Sequence, residues 1–383
     1  MVIAFIVAMV SWPIWAMIVK AVCGLMASAA FAVAEPEMIA KYTAVVAEAG
    51  FFYCIINAWV WQVLIMGNYQ KTLFKGDKLR KGLLSILTGC ALGLIVLLVL
   101  VLFLGNWWEM FNIKTLLMPQ TAEQLQLAIE GWEVINFFTL TVLIVQIPYV
   151  SLFHKWPYAG KVPAPYDGIA ALMTSFALAL LVWFGTVLPS LVEVDVAHTI
   201  IGKPFGDWPS YLAFAQAFIW WFLIPAEGGE NYPMKLVAKK QPYMGIVGLV
   251  IALIGGLVTP HLIKPFLMAL NLPETWNINS VAAAFMVSII TFMLIWHHLF
   301  DDYPSKELVP NSAIRVLTRI IIWIVGGIIW GVLWLKVLFF VMPNGAFNFG
   351  LGYPSPGLLA GQFCVLMAAA MLNTYFDKWP VKR

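Results

Sequence analysis

Charge is scarce in this sequence. Asp, Glu, Lys and Arg make up 11% of its 383 residues, against roughly 25% in an ordinary globular domain. So few charges cannot solvate a soluble globule of this size. They also leave no basic surface for nucleic acid and no charged tract for a disordered tail. Cysteine is almost missing. Cys23, Cys54, Cys90 and Cys364 each stand inside an apolar run without a CxxC spacing, which excludes a disulfide scaffold and reads as four small buried hydrophobes. The five histidines form no HxxH or HxxxH pattern, so no metal site is expected. No Walker loop, dinucleotide-binding glycine motif, nucleophile elbow or kinase signature occurs, which excludes ATP-driven transport by this chain alone and names no catalytic residue or cofactor.

What is there is apolar. Hydrophobic residues reach 62% and mean hydropathy is +0.89. The expectation is an all-α polytopic helical membrane protein, one integral membrane domain over residues 1–383. A span needs about 20 apolar residues at 1.5 Å each. Ten runs qualify: 2–34, 43–67, 82–105, 134–153, 168–192, 209–226, 243–263, 279–299, 316–342 and 357–376. The first is unusually long and carries Pro13 and Lys20. It reads either as one tilted, kinked helix or as a span followed by a short re-entrant piece. From Met17 the stretch MIVKAVCGLMASAAFAVAEPE also has the layout of a secretory signal peptide. On that reading nine spans remain, with the N-terminus outside; ten is the expectation here.

The connectors set the orientation. Those after the even-numbered spans hold Lys71, Lys75, Lys78, Arg80, Lys81, Lys155, Lys161, Lys235, Lys239, Lys240, Lys306, Arg315, Arg319, Lys378, Lys382 and Arg383, sixteen of the 22 basic residues. The opposite connectors hold only Lys41, Lys114, Lys203 and Lys264. This bias predicts a cytoplasmic (inner) membrane protein with both termini cytoplasmic. The longest outer connector, 106–133, contains TAEQLQLAIEG at 121–131. Its Thr cap, helix formers and terminal glycine predict a short amphipathic helix on the outer surface.

The even-numbered spans end alike: FHKWP at 153–157, GENYP at 229–233, FDDYP at 300–304 and FDKWP at 376–380, with Asn68-Tyr69 closing the second span without the proline. Their prolines are 76, 71 and 76 residues apart, a spacing that suggests a repeated two-helix hairpin. Each ending reads as an interfacial stop, with an aromatic among headgroups and a proline that forbids further helix. The functional alternative is a polar ring at the cytoplasmic mouth, built from His154, Glu230, Asp301, Asp302 and Asp377, with His297 and His298 beside it. Proton exchange there is one use for such a ring.

An ionisable residue inside a span costs roughly 2.5–3.5 kcal/mol and normally has a partner or a wet cavity. Lys20 and Glu48 lie in consecutive runs, so an ion pair between them is one expectation; snorkelling of both to headgroups is the other. Lys336 reads as snorkelling. Glu227 follows Pro225 and precedes Gly228-Gly229, the unwound backbone beside an acid from which transporters build sites. Thr259-Pro260-His261 and Lys264-Pro265 predict a comparable break in the seventh span. Gln146 and Gln216 are the uncharged candidates, alongside Asn57, Gln62, Asn136, Thr139, Gln362 and Asn373, which serve either helix contacts or a polar path. Gly89, Gly93, Gly327, Gly331 and the four glycines of the seventh span mark close helix packing. The leading expectation is a secondary transporter or permease for a small solute or ion, with Lys20, Glu48, Glu227, Gln216 and Gln146 as coupling or binding residues. The rival is a non-transporting integral subunit that anchors a redox or enzymatic complex, or a lipid-handling membrane protein. A homo-oligomer or a larger membrane complex fits either, with the lipid bilayer as the common partner.

Overall fold

The computed structural model describes residues 2–187, 208–351 and 357–378. The sequence-read end of the fifth span beyond Val187, His198, Lys203, and the residues from Trp379 to Arg383 lie outside the described residues. The chain is an all-α protein with ten helices long and apolar enough to cross a membrane, and no strand occurs among the described residues. They are α1 (Val2–Met26), α2 (Pro36–Ile65), α3 (Lys78–Leu104), α4 (Ala122–Ser151), α5 (Tyr166–Gly185), α6 (Trp208–Ala226), α7 (Tyr243–Met268), α8 (Ile278–Phe300), α9 (Ser312–Val341) and α10 (Gly357–Thr374).

Burial divides them into two layers. In the most apolar stretch of each helix, 72–78% of residues are buried in the even-numbered helices but only 22–28% in the odd-numbered ones. The even helices form a closed inner ring, and each joint can be named. Asn136 Nδ2 donates to Val45 O at 3.1 Å between α4 and α2. Thr141 and Tyr211 share a 2.7 Å hydroxyl contact between α4 and α6. Asn279 Nδ2 donates to Ser210 Oγ at 3.0 Å between α8 and α6. Ser288 Oγ donates to Gln362 Oε1 at 2.7 Å between α8 and α10. Trp59 Nε1 donates to Thr374 Oγ1 at 3.0 Å, and α10 thereby returns to α2.

The odd helices pack around this ring as an outer layer. Glycines let them approach. A Cβ on Gly93 would strike the backbone of Tyr53, and one on Gly327 would sit 2.7 Å from Ile289 Cα, so α3 presses on α2 and α9 on α8. Gly256 does the same for α7 against Phe218 of α6. Along α3 the opposite face exposes Leu83, Leu87, Leu94, Ile95, Leu98 and Leu102. Such a stripe suits hydrocarbon and would be a liability in water.

Several boundaries differ from the sequence reading. The first long run is not one helix: α1 stops at Met26, and a separate turn of helix follows at Ser28–Phe31. Helix α2 starts at Pro36, an N1 proline, so Glu48 lies more than three turns inside it. Residues 121–131 are not a free surface helix. They open the 30-residue α4, capped by Thr121 Oγ1 accepting from Gln124 N at 3.2 Å. Gly131 does not terminate the helix; it is a packing glycine, where a Cβ would collide with Met110 O. Helix α7 runs unbroken through Pro260 and Pro265 to Met268. Helix α9 starts at Ser312, capped by Asn311, which places Arg315 and Arg319 in its first two turns instead of in a loop.

All five inner helices end in the same backbone conformation. Two consecutive residues turn left-handed: Gly67-Asn68, His154-Lys155, Glu230-Asn231, Asp301-Asp302 and Asp377-Lys378, with φ between 50° and 62°. The second residue returns its N–H to the carbonyl six positions back in four of them, as in Asn68 to Gln62 (2.8 Å), Lys155 to Tyr149 (3.1 Å), Asn231 to Pro225 (2.9 Å) and Lys378 to Leu372 (2.8 Å). This closure is one residue wider than a single left-handed cap requires. Gly67 has open space around its missing Cβ, so only its backbone conformation calls for glycine there. This end of the ring is referred to below as the turn end.

A candidate site at the turn end of the inner ring

Helix α6 supplies the centre. Pro225 occupies its last turn and the helix closes at Ala226. Glu227 N still donates to Leu223 O at 2.8 Å, Gly228 then swings to φ 83°, and a Cβ on Gly229 would collide with Ile224 O. The proline and the two glycines thus hold the Glu227 carboxylate at the rim of the ring, in place of a further helical turn.

That carboxylate meets two other elements. Its Oε2 lies 2.7 Å from His297 Nε2 in the last turn of α8, and His297 Nδ1 lies 2.9 Å from Asp302 Oδ2 in the turn that follows. All three side chains are less than a third exposed. An imidazole with carboxylate oxygens at both nitrogens needs a hydrogen on each contact. The trio is therefore either an imidazolium between two carboxylates or a neutral ring beside one protonated acid. Either way it holds one proton more than a neutral histidine with two free carboxylates.

Glu227 also lines a cavity of about 330 Å³, together with Glu230 and Asn231 from the α6 turn, Leu64 of α2, and Ile147, Val150, Ser151 and His154 from α4. Three neighbouring inner helices contribute, so the cavity opens on the inside of the ring. Trp59 and His298 also meet at this end of the ring. They belong to α2 and α8, which are not neighbours in the ring, yet their rings meet edge-on at 6.1 Å. His298 Nδ1 is 3.1 Å from Asn373 Nδ2 of α10, while its Nε2 is buried without a partner.

Further buried polar atoms continue from this cavity into the ring. Gln216 lies eleven residues before Glu227, whose N–H keeps the helical bond to Leu223 O, and Asn136 lies eleven before Ile147. Three helical turns keep each of these pairs on one face, and Thr291 stands two turns before His298. Thr291 Oγ1, both amide atoms of Gln216 and Asn136 Oδ1 have no hydrogen-bond partner. Interiors rarely tolerate such groups, because each costs about 1–3 kcal/mol when left unmade.

Other acids of the turn end are tied into staples. Arg315 Nε donates to Glu230 Oε1 at 2.7 Å, and Arg319 Nη1 approaches the same oxygen at 3.6 Å. Arg319 also donates to Gly228 O (2.7 Å) and Pro304 O (2.8 Å). Lys71 pairs with Asp377 at 2.8 Å, and Lys378 with Asp301. These links join the turns after α2, α8 and α10 and fasten the α6 turn to α9.

The sequence-read candidates therefore separate. Glu227, His297 and Asp302 come together, His298 stands beside them, and Asp301 serves a staple. Gln216 is fully buried on the cavity-facing side of α6. Gln146 is fully buried, but it faces α2, where its Oε1 accepts from Trp61 Nε1 at 2.7 Å. Lys20 and Glu48 do not pair: Lys20 is exposed on the outer face of α1, whereas Glu48 is buried in α2. Lys336 reaches Asn271 O at 3.3 Å near the opposite end. Arg315, Arg319 and Ser151 were missed as site residues. The two arginines, four apart at the start of a span in a chain with only four arginines, were the available signal; Ser151 had none. No family model matches the chain, and comparison with curated proteins and with solved structures gives no match.

Proposed function

We propose that this chain is a secondary transporter or permease that moves a small solute across the membrane through the inner ring, with protons handled at the turn end. The observation that carries this reading is Glu227, which belongs at once to the cavity wall and to the proton-holding trio with His297 and Asp302. A solute entering the cavity meets a carboxylate whose proton is shared with a histidine. Binding and proton release are then linked through one side chain. The unpartnered atoms of Gln216, Thr291 and Asn136 support a polar path deeper in the ring.

The excess of basic residues in the turn-end connectors supports a cytoplasmic position for that end and for both termini. The five inner helices with matching left-handed endings support descent from one repeated hairpin of an inner and an outer helix.

The test is proton movement in proteoliposomes loaded with a pH-reporting dye and challenged with a panel of small solutes. Wild-type protein should couple at least one solute to proton flux. Glu227→Gln should abolish the proton flux, and Asp302→Asn should weaken it. Unchanged coupling in Glu227→Gln would remove the trio from the mechanism.

A further inference from the structure

A second cavity, of about 350 Å³, lies on the outside of the ring. Outer helices α7 and α9 stand apart here, and α6 forms the floor between them. Ile251 of α7, Ile320 and Ile324 of α9 and Trp220 of α6 make the walls, and Tyr232 and Pro233 of the α6 turn close the turn-end side. The three isoleucines are half-buried, so the crevice faces the hydrocarbon that surrounds the outer layer. Its Tyr232 hydroxyl is satisfied by Ser312 Oγ at 2.9 Å, and its Trp221 indole donates to Thr259 Oγ1 at 2.9 Å. The Trp220 indole N–H is buried without a partner, and no charged side chain lines the crevice.

The rim has a different character. Residues 232–243 carry Lys235, Lys239 and Lys240 and no acid. Lys235 Nζ stands 3.6 Å from the centroid of the Tyr232 ring, at the edge of the crevice. Leu236 and Val237 beside it are 73% and 76% exposed, which fits a connector resting at the lipid surface with its lysines among headgroups. The acid that precedes this connector in the chain, Glu230, is engaged by Arg315 and Arg319 and does not cancel these charges.

We propose that this crevice holds an acyl chain of one anionic phospholipid, whose headgroup is bound by Lys235, Lys239 and Lys240. The apolar walls take the chain by burying methylenes, and the lysines select the headgroup by charge. This site is separate from the axial cavity and does not depend on the transport reading.

The test uses the full chain, stripped of lipid in detergent and examined by native mass spectrometry with added phosphatidylglycerol or phosphatidylcholine of the same acyl composition. Wild-type protein should retain one phosphatidylglycerol about tenfold more tightly than phosphatidylcholine, from lysines each worth a severalfold gain at a lipid surface. Ile324→Trp, which fills the crevice, should lose that tightly held lipid. The triple change Lys235→Gln, Lys239→Gln and Lys240→Gln should retain both lipids equally. Should Ile324→Trp fail to fold, Ile251→Phe narrows the same space from the other wall. Equal retention of the two lipids by wild-type protein, or unchanged phosphatidylglycerol retention in both crevice-filling variants, would overturn the proposal.

Discussion

Removing the Glu230 carboxylate is the sharpest perturbation of the turn end. Arg315 and Arg319 are 5% and 7% exposed; Arg315 is paired with that acid and Arg319 approaches it at 3.6 Å, with the charge of Asp302 also acting on Arg319. Breaking a buried ion pair by deleting one partner costs about 3–5 kcal/mol, because the other charge stays buried. Two features pull the value down. The Glu230 side chain is itself 28% exposed, so water can partly replace it. The guanidiniums also keep four carbonyls: Val309 O (2.6 Å) and Pro310 O (3.2 Å) for Arg315, and Gly228 O (2.7 Å) and Pro304 O (2.8 Å) for Arg319. Glu230→Ala should therefore cost about 2–3 kcal/mol, and Glu230→Gln, which keeps an acceptor, about 1–2 kcal/mol. Glu, Gln and Ala all bear the left-handed φ of 50° at this position, so the backbone contribution nearly cancels. The assay is reversible unfolding in mixed micelles of increasing SDS content, followed by tryptophan fluorescence. Adding Arg315→Ala and the double variant completes a cycle with an expected coupling of about 2 kcal/mol. A coupling below about 0.5 kcal/mol would refute the reasoning, since that is the strength of a solvated surface pair.

Five further outcomes are expected. Gly93→Ala should lose about 2–3 kcal/mol in the same unfolding assay, because its Cβ meets the Tyr53 and Cys54 backbone. Gly24→Ala, where nothing lies within 4 Å, should instead gain about 0.5 kcal/mol. Gly67→Ala should cost about 1 kcal/mol through its φ of 61° alone, and Gly67→Asn distinctly less; equal losses would show that the conformation is not the cause. Lys20→Met should leave stability within about 0.5 kcal/mol of wild type, since an exposed side chain without a protein partner is replaced by a lipid-compatible one. Cysteines introduced at Lys75 and Lys114 should react with an impermeant thiol reagent from opposite sides of the membrane; labelling from one side would overturn the topology.

The class of fold was legible because hydrocarbon imposes a length and a composition that a sequence displays directly. Among the described residues each of the ten runs holds one helix long enough to cross a membrane, and nearly every error lay at the ends. Pro36, Thr121 and Asn311 start helices earlier than hydropathy alone suggested, because caps and polar first turns are invisible to an average over apolar residues. Pro260 and Pro265 misled in the opposite direction, since a proline in a long helix packed on a neighbour need not end it. The layering was not legible. The outer helices are on the whole the more apolar, but the two sets overlap, and what separates them is which faces carry polar groups and which glycines meet a neighbouring backbone. The recurring F-x-x-[WY]-P ending was visible, but its left-handed pair was not, because Asp, Glu, His and Lys seldom adopt that conformation. Glu227 could be found from its proline and glycines. Its link to His297 could not, as seventy residues separate two side chains that meet only because α6 and α8 are neighbours in a closed ring.

The most direct measurement of the central claim is side-specific thiol labelling of the ring interior, in protein whose own four cysteines are replaced by alanine. Ser151→Cys, in the wall of the turn-end cavity, should react with an impermeant reagent only from the side that carries residues 68–81. Gln216→Cys, deeper on the same axis, should react from the opposite side as the path alternates. Failure of both positions to label from either side would contradict the account, for the buried polar atoms would then line a sealed core with no route through it.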